Sequence, residues 1–224
     1  MHFEAKWYAR SEPLQSVVHF IKVTLKELGW NDGTEDLVMD VGCGPGKVTT
    51  KWVLTLFQEV EKIVALDYLS SMIEKARTLN AHPKVEYHVG DFEGGSTTEN
   101  WKGQVSKMIS IHCFNWFKTQ RESFLTVYDL LQPGGEVALY FELHSDFFSA
   151  LEEITYSEKW KSFFQGIYNY VPESNRKKYD SSHYRKMVEE IGFEVRFCQS
   201  ELKVEDVVSD DAGSSFVEDV EDES

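Results

Sequence analysis

The stretch Leu37–Thr50, LVMDVGCGPGKVTT, runs an apolar segment into three glycines, Gly42, Gly44 and Gly46, and then into residues with helical spacing. Glycines at such a turn allow a ligand to approach the backbone closely. A dinucleotide fingerprint spaces them G-x-G-x-x-G, with the pyrophosphate on the helix N-terminus. Here the spacing is G-x-G-x-G, and Asp40 stands ahead of it at the end of the apolar segment. A carboxylate in that place repels a pyrophosphate and attracts a cation such as an ammonium or a sulfonium. Two more carboxylates follow. Asp67 closes the next apolar run, KIVALD, 21 residues after Gly46, and can accept both hydroxyls of a ribose. Asp91, in Gly90–Phe92, sets a carboxylate beside the ring of Phe92, a pair suited to the amino group and the face of an adenine.

These residues form one site only if the chain brings successive strand ends to one edge. LQSVVHFIKVTLKELGW has apolar residues at helical spacing, and NDGTED breaks it before the strand LVMDVG. KVTTKWVLTLFQEV then reads as a helix, KIVALD as a buried strand, SSMIEKARTLN as a helix capped by Ser70 or Ser71, and KVEYHVGD as an alternating strand. SKMISIHC gives a fourth strand, QRESFLTVYDLL a helix, and QPGG a turn into a fifth strand, EVALYFEL. Such alternation predicts an α/β fold with a mostly parallel, doubly wound sheet, whose ligands bind at the carboxyl edge. Residues 145–180 carry many aromatics, among them Phe147, Phe148, Tyr156, Trp160, Phe163, Phe164, Tyr168 and Tyr170, on short helices expected to lie over that edge. SSHYRKMVEEIGF reads as a last helix closed by Gly192, and EVRFCQSEL as a sixth strand.

Bulk properties narrow the classes. Two hundred and twenty-four residues at 42% apolar content fit a single domain with a real core, expected over 1–203. The net charge is −15, and residues 201–224 carry ten acidic residues and one lysine, so 204–224 reads as a solvated acidic tail. A basic stripe for nucleic acid is missing from the pattern. With neither a membrane-spanning apolar run nor a leader sequence, the expectation is a cytoplasmic protein. Cys43, Cys113 and Cys198 form no CxxC pair and predict neither a disulfide framework nor a zinc site.

VMDVGCGPG, VALDYLSSMIEKA, VGDF and LLQPGGEVALYF, in that order, resemble the successive motifs of the class I S-adenosylmethionine-dependent methyltransferases over residues 35–142. The resemblance implies that Asp40 holds the amino group of S-adenosylmethionine and that the backbone at Gly42, Cys43, Gly44 and Gly46 meets its methionine part. It further implies that Asp67 takes the ribose, Tyr68 and Met72 flank the adenosine, and Asp91 and Phe92 meet the adenine. Ser110 and His112 would line the methionyl side.

YARSEPLQ, Tyr8–Gln15, and HCFNWFKTQRESF, His112–Phe124, are similar to the arthropod juvenile hormone acid and farnesoic acid O-methyltransferases. That likeness implies that Gln15 and Trp116 bind the carboxylate of a small hydrophobic acid. No residue need act as general base, because a carboxylic acid is already ionised at neutral pH. A phenol or amine acceptor would need one, and His112 and His144 are the candidates. A catalytically silent donor-binding relative and, further off, an NAD-dependent dehydrogenase are the other readings. The family's sheet ends with an antiparallel seventh strand between strands five and six, and VVSDDAGSSFVEDVEDES offers no candidate for it. Strand six is then expected to lack a proper partner.

Overall fold

The apolar residues of the strands alternate with a period of two, so each strand buries side chains on both faces of the sheet. Val38 of β1 (Leu37–Val41), Ile63 and Ala65 of β2 (Lys62–Asp67) and Ile109 of β4 (Val105–Ile111) point into one core. Met39, Val41, Val64, Leu66 and Met108 point into the other. The computed structural model describes residues 13–30, 37–93, 97–144, 146–160, 162–163, 166 and 171–201. β3 (Val85–Val89) and β5 (Leu131–Tyr140) complete a five-stranded, all-parallel sheet in the order β3-β2-β1-β4-β5. The chain thus winds outward from β1 to β3 and then returns to the other side through β4. The switch point, where such sheets bind ligands, lies between β1 and β4.

The first core is covered by α1 (15–27), α2 (47–56) and α3 (Ser70–Leu79). The middle turns of α1 and α2, Phe20–Thr24 and Thr49–Val53, are wound as π-helix. The second core is covered by α4 (Gln120–Leu130) and α7 (Ser181–Ile191). Between β5 and α7 lie α5 (Asp146–Tyr156) and α6 (Glu173–Lys177), the expected short helices. α7 starts as the sequence suggests, with Asp180 accepting the His183 amide at 2.8 Å, and closes on Gly192.

Three expectations are corrected. Neither Ser70 nor Ser71 caps α3; Asp67 does the nearest equivalent by accepting the amide of Leu69 at 2.9 Å. QPGG lies within β5, as an irregularity that shifts the pairing from Val105↔Leu131 to Lys107↔Glu136, and the strand stops at Tyr140. No sixth strand forms over the described residues 194–201. A strand persists only through a ladder partner, and among the described residues none lies on the outer edge of β5. This segment is instead pinned by side chains, Arg196 to Glu136 at 2.9 Å and the Cys198 thiol to the Ser181 carbonyl at 3.3 Å. The antiparallel strand, the tail 204–224 and most of YARSEPLQ fall outside the described residues.

The glycine turn is built for two purposes. Gly46 has φ +79°, and a Cβ there would lie 2.4 Å from the Tyr87 hydroxyl. That hydroxyl donates to the Asn80 carbonyl, and the Asn80 amide donates to the Pro45 carbonyl, both at 2.8 Å, so β3 and α3 brace the turn from behind. Gly44 has φ +55° and open space where its Cβ would be. Gly44→Ala is therefore expected to cost only the left-handed strain, about 1 kcal/mol. Gly46→Ala must also displace Tyr87 and is expected to cost more than about 2 kcal/mol in urea denaturation. Equal losses for the two variants would contradict this division.

Candidate functional site

Because β1, β2 and β3 are adjacent and parallel, their C-terminal residues reach the same edge. Leu66 accepts the amides of Gly42 and Cys43 at 2.8 and 2.9 Å, and Asp67 accepts that of Gly90 through its backbone carbonyl at 3.0 Å. The strand ends are thereby stitched into one rim carrying Asp40, the glycine turn, Asp67 and Asp91. The decisive tie is between side chain and turn: the amide of Gly44 donates to the Asp67 carboxylate at 2.9 Å. One oxygen of Asp67 is held by Gly44 and the other by Leu69, which fixes the carboxylate in place. Each oxygen retains a lone pair for a hydroxyl.

Asp40 is buried, and the hydroxyl of Thr49 in α2 donates to it at 2.6 Å. Burial, opposed by the Thr49 bond and aided by the negative charge of Asp67, pushes its carboxyl up to about 6. Burial also raises Asp67, against the two amides that hold it down. The rim therefore carries two carboxylates that repel each other and lack a described basic partner. A cation beside them relieves both penalties, and a pyrophosphate aggravates them. With the open space at Gly44, these residues fit a cationic ligand that carries a ribose. Burial holds the thiols of Cys43 and Cys113 protonated, the second up to about 12, so neither is a nucleophile. Among the described residues no His, Cys, Asp and Glu cluster could hold a metal.

The remaining expected residues take different stations. Tyr68 is 70% exposed on the rim, Met72 is buried under it, and Asp91 is exposed and caps the amide of Glu93 at 3.1 Å. Phe92 is buried and stacked on Phe117 at 5.7 Å and 7°. Ser110 spends its hydroxyl on the Val41 carbonyl at 2.7 Å, joining β4 to β1. His112 has φ +52°, one of two non-glycine residues of positive φ among those described, and sets its ring edge-on to Tyr140 at 5.4 Å. Such a backbone at a strand end is a local strain of the kind that gathers at functional sites.

Trp116 ends a short 3₁₀ turn, Phe114–Trp116, after β4. It is 39% exposed and meets Phe148 of α5 edge-on at 5.3 Å, so the aromatic insert does reach this turn. Tyr156, Trp160 and Phe163 are exposed, while Phe164, Tyr168, Tyr170 and the side chain of Phe147 lie outside the described residues. Gln15 is exposed at the start of α1. Phe20 of α1 packs on Tyr140 of β5 with ring centroids 5.1 Å apart, and Tyr140 in turn meets His112.

Residues 38–135 match the family described as a methyltransferase domain. The sheet and its flanking helices are the Rossmann-like fold of the class I methyltransferases, and the chain resembles the juvenile hormone acid O-methyltransferases. The one from Bombyx mori is 23% identical over 175 residues, 78% of this chain and 60% of that relative. The one from Drosophila melanogaster is 23% identical over 196 residues, 85% and 65%. This chain thus spans less than two thirds of either. A malonyl-[acyl-carrier protein] O-methyltransferase of Ilyobacter polytropus is 30% identical over 131 residues, 55% of this chain and 47% of that one. In fold, the chain is similar to the CurJ carbon methyltransferase, with a TM-score of 0.55 and 16% identity over 85% of this chain and 50% of that one. The YcgJ protein of Bacillus subtilis gives 0.54 and 16%, over 80% and 68%.

Several residues that hold this rim and the Trp116 turn escape sequence reading. Thr49 and the Tyr87–Asn80 brace act across the fold, and only the inward phase of Tyr87 in VEYHV hints at them. Gln120 is fully buried, with its amide donating to the Phe114 carbonyl at 3.0 Å, and Tyr184 of α7 donates to its oxygen. The turn bearing Trp116 is thereby tied to two helices. For Asp40 the sign is fixed by its raised value: the buried charge costs stability at neutral pH, and this cost shrinks as pH falls from about 6 toward the ordinary carboxyl value of 3.8. Binding of a cation needs the charged form, so donor affinity at pH 5 is expected to be about tenfold below that at pH 7, with proton uptake by Asp40 as the cause. Fluorescence titration at both values checks this, with Asp40→Asn expected to remove the difference. Equal wild-type affinities would contradict it.

Proposed function

We propose that the chain transfers a methyl group from S-adenosylmethionine to the carboxylate of an isoprenoid or fatty acid, of the juvenile hormone acid or farnesoic acid type. The observation that carries the acceptor is Trp116, a partly exposed indole at the end of β4 set against Phe148 of the aromatic insert. The relatives' names point the same way. On this reading Asp40, the turn Gly42, Cys43, Gly44 and Gly46, Ser110 and His112 surround the methionyl part of the donor. Asp67 takes its ribose, and Tyr68, Met72, Asp91 and Phe92 take its adenosine. A cytoplasmic setting belongs to the same reading and is supported by three free cysteines. No described helix is long and apolar enough to cross a membrane.

When bound, the donor supplies an electrophilic methyl group on a sulfonium. The chain's own residues then have placement as their main task. An alkyl carboxylate, with a pKa near ~4.3, is already the nucleophile at neutral pH. The indole Nε1 of Trp116 can only donate, and the side-chain NH2 of Gln15 offers two donor hydrogens, so the pair can hold the anion and aim one oxygen without taking a proton. Phe148 and its neighbours exclude water. A reaction that joins a cation to an anion loses charge as it proceeds, and a dry apolar surround favours that change.

A second reading rests on the outer edge of β5, which pairs with no strand among the described residues: donor binding without turnover. A methyl-transfer assay over farnesoic acid, a medium-chain fatty acid, a catechol and an amine separates the cases. Turnover is expected only with the two acids. Trp116→Phe keeps the ring and removes the donor, and is expected to raise the acid's KM about tenfold or more, the worth of a hydrogen bond to a charged group. Preference for the catechol or amine would move the chemistry to His112 or His144; burial and Lys178 lower the latter, which keeps it a free base at neutral pH.

A further inference from the structure

A threonine inside a helix commonly turns its hydroxyl back on that helix, to the carbonyl three or four residues earlier. Thr50, Thr55, Thr78, Thr126 and Thr155 all do this, to the carbonyls of Gly46, Trp52, Glu74, Glu122 and Glu152 at 2.6–3.2 Å. Thr49 does otherwise. It is fully buried, opens the π-wound turn Thr49–Val53 of α2, and donates across the fold to Oδ2 of Asp40 at 2.6 Å. The carbonyl four residues behind it, that of Pro45, is already taken by the side-chain amide of Asn80 at 2.8 Å. Two adjacent threonines thus hold different parts of the rim: Thr50 the glycine turn, Thr49 the carboxylate at the end of β1.

The surroundings of Asp40 give this bond its weight. Burial raises the carboxyl, the Thr49 bond lowers it and the charge of Asp67 raises it again, with a balance at about 6. The thiols of Cys43, on the glycine turn, and Cys113, after β4, also face Asp40, as does the phenol of Tyr87 on β3. Burial holds all three neutral, so they bring it no compensating charge. Among the described groups acting on Asp40, Thr49 alone favours the charged form. A hydrogen bond to a charged group shifts a titration by about one to two pH units. Without the hydroxyl, Asp40 is therefore about half protonated or more at pH 7.

We propose that Thr49 is a positioning residue for the donor: its hydroxyl holds Oδ2 of Asp40, keeps the carboxylate ionised and leaves Oδ1 to the donor's amino group. The inference rests on the reading of Asp40 as the partner of that amino group.

Calorimetry of S-adenosylmethionine binding at pH 7, in two buffers of different ionisation enthalpy, counts the protons released on binding. A threonine that only fills space would leave that count unchanged. A carboxyl at about 6 is about one-tenth protonated at pH 7, so the wild type is expected to release about 0.1 proton from Asp40. Thr49→Val replaces the hydroxyl by a methyl; it is expected to release about 0.5–0.9 proton and to bind about two- to tenfold more weakly. Thr49→Ala removes the hydroxyl without adding bulk and is expected to give the same count, and Thr49→Ser, which keeps it, the count of the wild type. In an Asp40→Asn background, Thr49→Val is expected to add no proton release. Wild-type counts for both Thr49→Val and Thr49→Ala, with the donor still bound, would overturn the role of Thr49 and leave that of Asp40 standing. Wild-type affinity that is equal at pH 5 and 7 and unchanged by Asp40→Asn would remove Asp40 from the amino group, and this inference with it.

Discussion

The hydrogen bond from the Gly44 amide to the Asp67 carboxylate is the constraint on which the site depends. It joins the turn after β1 to the tip of β2, and so turns two neighbouring strand ends into one surface. It also commits Asp67 to stay charged close to Asp40, which is buried with one hydroxyl for a partner. Two carboxylates held this way cost the fold energy at neutral pH, which a bound cation can return. The packing behind the turn, through Tyr87, Asn80 and Pro45, keeps the chain from relaxing away from that arrangement.

Much of this was legible in the sequence because it follows from local rules. Short apolar runs between turn residues, with alternation in VEYHV, located the five strands, though β5 begins and ends earlier than expected, and the order of Gly42–Gly46, Asp67 and Asp91 placed the rim, since parallel strands bring their C-terminal ends to one edge. What local rules missed were contacts made across the fold. Asp67 replaced Ser70 and Ser71 at the head of α3 because a strand-end carboxylate was already aimed at that amide. EVRFCQSEL has the alternation of a strand, yet alternation says nothing of a ladder partner, and among the described residues β5 offers its edge to none.

The acceptor side is built on a different principle. Trp116 sits on a short turn, and short turns are positioned by what holds them. Here the holding groups are Gln120, bonded to the Phe114 carbonyl, and Tyr184, bonded in turn to Gln120, with Glu93 accepting the amides of Lys118 and Thr119 at 2.8 and 3.1 Å. His112, whose positive-φ backbone follows β4, sets its ring against Tyr140, itself packed on Phe20 of α1.

The central claim is that the acidic rim selects a cationic methionyl nucleoside over a dinucleotide. Isothermal calorimetry of the full chain with S-adenosylmethionine, its homocysteine product and NAD measures that selection directly. The predicted result is saturable binding of the first two, tighter for the cationic donor at neutral pH, and no heat with NAD beyond dilution. Binding of NAD with no response to the other two would contradict it.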